Sequence, residues 1–179
     1  MRRYLNRTLL FCALLLTVSK TSYAQKLRRS DTISIHNLVV DRLKIHKNQI
    51  TINLQTDRSD YLRYFDFKDL NTVGGDTKRF LEQKEWRTFL SNVDTSKIAD
   101  YKLETKGKRW FKDIEGILPA ERLIFSPVIF SKESNKAIVM FTLLSFSGSN
   151  LSGSKTAWFY ENLKGKWLLK TGQVIVYID

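Results

Sequence analysis

The sequence predicts an α+β fold, an antiparallel β-meander of four to six strands packed on one main helix. Three observations predict it. The C-terminal half holds four apolar runs, at 123–130, 137–146, 156–160 and 167–178. The connections between them, 132–136, 148–153 and 164–166, are turn-rich and too short for a crossover, so neighbouring runs must pair antiparallel. Trp86, Phe89, Leu90 and Val93 recur at i, i+3, i+4 and i+7, the stripe of a helix lying on a core. Finally, the second run is apolar on both parities: Ala137, Val139, Phe141 and Leu143 on one side, Ile138, Met140 and Leu144 on the other. A half-wet strand would alternate, so this one is central and covered on both faces, by the Trp86 helix and by an N-terminal hairpin or something external.

Taken in order, the chain opens with Arg2, Arg3 and Arg7 and an 11-residue apolar run at 8–18, interrupted by Ser19, Lys20, Thr21 and Ser22. A bilayer span needs about 20 apolar residues. The pattern is that of a cleavable export signal over 1–24, with Ser22 and Ala24 as the small residues before cleavage and Gln25 as the mature N-terminus. A single α+β domain over 25–179 follows, with no transmembrane span after cleavage. Cys12, the sole cysteine, leaves with the signal, which excludes disulfides, thiolate catalysis and Cys-ligated zinc from the mature chain. Removing Arg2, Arg3, Arg7 and Lys20 from a formal charge of +12 leaves 26 basic against 18 acidic residues, a net charge of +8. Such a surplus favours anionic partners. For an exported chain that means an anionic envelope polymer or another exported protein, and no nucleic acid.

Residues 25–30 are polar and basic, the composition of a loose terminus. Leu43 with Ile45, then Ile50, Ile52 and Leu54, alternate about the polar stretch 46–49 and read as a hairpin; 33–35 and 38–40 extend its first strand or form a short helix behind Asp31. The stretch 57–75 reads as irregular, with Tyr61, Tyr64, Phe65 and Phe67 set among aspartates. Gly74-Gly75-Asp76 announces the main helix with Asp76 as its N-cap, and Asp94-Thr95-Ser96 ends it. Phe80 and Leu81 fall off the stripe, so the first turn must pack elsewhere or be partly exposed. A short strand follows at 101–105. Pro127 cannot donate to a ladder and places its strand at an edge or a bulge.

The string 125–131 (Phe-Ser-Pro-Val-Ile-Phe-Ser), Ala137 in an apolar strand, Trp158-Phe159-Tyr160 and Gly165-Lys166-Trp167 resemble a group of small uncharacterised secreted proteins of Gram-negative bacteria. The resemblance spans the C-terminal third, 123–178, and this chain has Ser147-Gly148 where members often carry Cys-Gly. It implies a periplasmic or extracellular address and no particular activity. The helix-then-meander order is similar to that of the cystatin-like and nuclear-transport-factor-like cones, a likeness of fold from which function is not inherited.

No catalytic motif of any specificity is present, neither a G-x-S-x-G elbow nor S-x-x-K. The two histidines, His36 and His46, lie ten residues apart, a spacing that fits no compact metal motif, so no metal and no cofactor is expected. Two candidate sites remain. Lys106, Lys108, Arg109, Trp110 and Lys112 interleave cations with aromatics, the chemistry that holds an anionic group beside a ring; the bland reading is a basic turn docked by its aromatics. Asp57, Asp60, Asp66 and Asp69 would supply paired carboxylates to a hydrolase of an envelope polymer; the bland reading is a solvated loop, since Arg63 and Lys68 sit among them and calcium-loop spacing is absent. The residues between 147 and 155 read as a small polar loop that either lines a ligand mouth or merely joins strands. The balance favours a non-enzymatic, exported binding or interaction domain over the hydrolase.

Overall fold

The computed structural model describes residues 29–43, 50–66, 69–70, 73–104 and 121–179. The chain divides into two compact units, Met1–Ser34 and Ile35–Asp179. Of the first, residues 29–34 are described and are helical, with the Ser34 hydroxyl donating to the Ser30 carbonyl (3.0 Å). The expected signal over 1–24 lies outside the described residues.

The second unit opens with helical residues 35–42, α1, closed by the Leu43 N–H on the Val39 carbonyl (3.0 Å). Its sheet comprises β1 (Ile50–Ile52), β2 (Glu121–Phe125), β3 (Ile129–Phe130), β4 (Lys136–Ser147), β5 (Asn150–Leu163) and β6 (Lys166–Ile178). The spatial order is β1-β2-β4-β5-β6, with β3 also paired to β4. Every pairing is antiparallel except β1 with β2, which run parallel with Ile52 opposite Leu123. The fold is α+β, and the meander read from the four apolar runs is β2/β3, β4, β5 and β6 in that order.

The turns follow from their residues. Gly148 (φ 62°) occupies the first central position of the two-residue β4–β5 turn, where a positive φ matches the twist of the strands. Lys164 and Gly165 (φ 53° and 81°) form the β5–β6 turn. The polar loop expected between 147 and 155 is therefore a tight turn followed by strand: residues 150–155 pair with 142–147 of β4. Register pairing carried this segment into the sheet despite its Ser and Gly content.

Both faces of β4 are covered. On one, Ile138 and Met140 join Ala157 and Phe159 in a cluster with Tyr61, Leu81, Trp86, Phe89 and Leu90. These come from three short helices: α2 (Ser59–Tyr64), α3 (Gly75–Leu81) and α4 (Lys84–Ser91). On the other, Ala137, Val139 and Phe141 join Leu123, Phe125, Tyr160 and Trp167 in a cluster with Ile35, Val39 and Val40 of α1. Each fully buried large apolar side chain contributes roughly 1.5–3 kcal/mol, so this double burial makes β4 the centre of the unit.

Several expectations change at this level. The second face is covered by a helix and not by an N-terminal hairpin: Leu43 closes α1, and β1 finds its partner in β2; Ile45 and 46–49 lie outside the described residues. Ile35 and Val39 share one helical face, and that burial outweighs their β-branched preference for strand. The main helix is built in two pieces. Gln83 adopts an extended conformation (φ −56°, ψ 138°) between α3 and α4, which lets Leu81 and Trp86 both reach the core. Asp76 is not the N-cap: Gly74 holds that position, and Asp76 sits in the first turn as the ion-pair partner of Arg79. The strand expected at 101–105 is a single bridge, Gln55 to Lys102.

Pro127 interrupts the first apolar run between β2 and β3. Across this break the Ser126 N–H reaches the Met140 carbonyl (2.9 Å), but the strand pairing stops at Phe125–Phe141 and resumes at Ile129–Ile138, leaving Met140 N–H without a strand acceptor. The Tyr61 hydroxyl supplies that acceptor (3.1 Å) and donates in turn to the Ile138 carbonyl (3.2 Å), which is also paired within the sheet opposite Ile129. α2 is thus tied to the middle of β4 by a side chain that stands in for backbone.

Candidate functional site

The four aspartates do not act together. Asp57 is exposed and accepts the Ser59 N–H (2.8 Å), fixing the entry to α2. Partial burial opposes its ionisation, but the Ser59 hydrogen bonds and the charges of Lys155 and Arg63 outweigh that and hold its pKa below the ordinary value. Asp66 is exposed and accepts the Asp69 N–H (3.2 Å), a local turn. Asp69 is itself exposed.

Asp60 alone is buried, at 3 % exposure. One carboxylate oxygen meets Lys155 Nζ at 2.5 Å, and the other accepts the Thr142 hydroxyl at 2.9 Å. Lys155 Nζ also lies 3.3 Å from Thr142 Oγ1 and 4.9 Å from the centroid of the Tyr64 ring. Thr142 and Lys155 are cross-strand partners on β4 and β5, so the sheet register builds one half of the group and α2 supplies the other. A carboxylate with its charge neutralised and its oxygens occupied is a bracing group. It is not poised to attack or to protonate a substrate. Lys155 and Thr142 were not legible as its partners, because only the pairing register and the docking of α2 set them beside Asp60.

Lys106, Lys108, Arg109, Trp110 and Lys112 lie outside the described residues, as does His46. His36, on α1, is buried, its ring centroid 4.5 Å from that of Phe125 and its Nε2 3.5 Å from the Tyr101 hydroxyl. A second polar group fastens α4: Trp86 Nε1 donates to Glu161 (2.8 Å), Glu161 pairs with Lys170 (3.4 Å), and the buried Lys136 reaches Glu85 (2.9 Å). Among the described residues no three His, Cys, Asp or Glu side chains gather as a metal site, and no helix is long and apolar enough to cross a membrane.

No protein-family model, curated protein or solved structure matches the chain.

The sheet edge at β6 stands out. Among the described residues β6 pairs with β5 alone. Exposed edges are normally blunted by charge, proline, bulges or a covering element. The first third of β6 carries Lys166 and Lys170. Its middle is engaged by α3: the Gly74 N–H donates to Gln173 (3.1 Å), and the Thr77 hydroxyl bonds to Thr171 (2.7 Å) and to the Gly172 carbonyl (3.4 Å). The last five residues, Val174-Ile175-Val176-Tyr177-Ile178, hold no charge, proline or glycine, and the one irregularity among them is a register shift at Ile175, between the pairs Lys155–Val176 and Thr156–Val174. Ile175 packs inward on the helical face, while Tyr177 is 75 % exposed.

Proposed function

We propose that this chain is an exported interaction module that receives an extended segment of a partner protein along the last third of β6. The observation that carries the reading is the run 174–178, β-branched and aromatic and free of charge, proline and covering helix bonds, at the end of an edge that is otherwise charged or engaged by α3; the bulge at Ile175 leaves Val176, Tyr177 and Ile178 as its regular stretch. Strand addition supplies affinity through main-chain hydrogen bonds and specificity through alternate side chains. The exposed Lys166 on the same strand, within a basic chain, favours a partner segment that is apolar with acidic flanks. The export leader read at 1–24 and the resemblance of 123–178 to small secreted proteins of Gram-negative bacteria support a periplasmic or extracellular setting. The hydrolase alternative draws no support from Asp57, Asp60, Asp66 and Asp69, whose one buried member is committed to Lys155 and Thr142.

The test is a binding titration of the full chain with a synthetic peptide of alternating Val and Thr flanked by Asp, beside a twin with Pro at its centre. The reading predicts binding of the first peptide, none of the second, and about fivefold weaker binding after Tyr177→Lys, the scale of one lost cross-strand pair. Equal binding of both peptides, or of neither, overturns it.

A further inference from the structure

His36 lies in the apolar layer between α1 and the sheet, in the cluster region of Ile35, Val39, Phe125 and Phe141. Its only polar neighbour among the described hydrogen bonds is the Tyr101 hydroxyl, 3.5 Å from Nε2. That hydroxyl already accepts the Val128 N–H at 3.0 Å. Its own hydrogen is therefore free to point at Nε2, an arrangement that requires Nε2 to be unprotonated.

The charged groups around this layer do not offset a proton on the ring. From α1 itself, Asp41 and Arg42 are exposed. From the segment bearing Tyr101, Asp100 turns away to accept the Arg58 N–H (2.7 Å) and the Thr56 hydroxyl (3.3 Å), and Lys102 is exposed. Tyr101 is held neutral, its pKa raised first of all by burial. From β2 the ring faces Phe125, while Arg122 is exposed and Glu121 lies at the far end of the strand. No described carboxylate forms an ion pair with His36.

We infer that neutral His36 latches residues 35–42 to the sheet and that protonating its ring releases them, uncovering the apolar face of Leu123, Phe125, Val139 and Phe141. The device is acid-operated. Burial lowers the ring's pKa from 6.5 to about 3 while α1 is docked. A released ring takes up a proton near its ordinary value, so docking is at full strength above about pH 6.5 and weakens as pH falls towards 3. Across that window the ratio of released to docked molecules grows by up to about tenfold per pH unit. Acidification would thus present a second apolar sheet surface, separate from the edge of β6.

Amide hydrogen exchange on the full chain between pH 7.5 and 4.5, corrected for the intrinsic pH dependence of exchange, tests this. Protection of residues 35–42 is expected to fall by up to tenfold per pH unit below about 6.5 while β5 stays protected, and His36→Phe is expected to hold protection of 35–42 constant. Unchanged protection in the wild type, or equal loss in His36→Phe, overturns the inference. NMR titration of the His36 ring tests the wild type independently of that variant's folding. A ring that stays neutral in docked molecules supports the latch, and one that titrates near 6.5 with α1 still protected contradicts it.

Discussion

Asp60 and Tyr61 are adjacent on one short helix, and each joins α2 to β4 by a different kind of bond. Removing Asp60 strands the largely buried Lys155 ammonium, whose side chain is 17 % exposed. Breaking a buried pair from one side costs roughly 3–5 kcal/mol, and the residual access of Lys155 to water places this one near 3 kcal/mol. Denaturant titration of Asp60→Ala is expected to show that loss, and the double variant Asp60→Ala/Lys155→Met is expected to recover part of it. Full additivity of Asp60→Ala and Lys155→Met would mean that the two charges are uncoupled. Tyr61→Phe keeps the ring and removes the hydroxyl that Ile138 and Met140 share, leaving the buried Met140 N–H unpaired. A loss of roughly 1–3 kcal/mol is expected by the same measurement; a neutral result would show that water or a strand shift replaces the hydroxyl. At this scale the sequence marks Asp60 as noteworthy but not why, because its burial and its partners Lys155 and Thr142 arise from tertiary register.

Among the elements, the meander was legible because its information is local: apolar runs bounded by two-residue turns leave antiparallel pairing as the available arrangement. α1 was not, since Ile35, Val39 and Val40 are residues that fit strand or helix until their burial partner is known. α2 has six residues, too few to display a stripe, and the break at Gln83 is a backbone choice that the stripe of α4 does not foreshadow. β1 pairs in parallel with β2, far along the chain, which no local pattern encodes. The distal half of the β4–β5 ribbon depends on Gly153. A Cβ there would press into the Leu143 carbonyl and the Leu144 Cα, both backbone atoms with little room to give. Gly153→Ala is therefore expected to cost roughly 1–3 kcal/mol and to loosen residues 143–154 first, as read by amide exchange. Uniform protection with unchanged stability would show that the strands separate without penalty.

For the molecule as a whole, the sheet of the second unit is sandwiched between α1 and the α2–α4 group, which leaves its edges as the places where main chain can still be addressed. The edge at β6 is guarded by lysines, then by α3 and then by the bulge at Ile175, and beyond it Val176, Tyr177 and Ile178 carry no such device among the described residues. The central claim is that this gap receives a strand. Its most direct measurement is residue-resolved amide exchange of the full chain with and without saturating Val/Thr peptide. The account predicts that added protection concentrates in residues 174–178 and is absent with the Pro-containing twin. Protection elsewhere, or none at β6 while the peptide is bound, would contradict it.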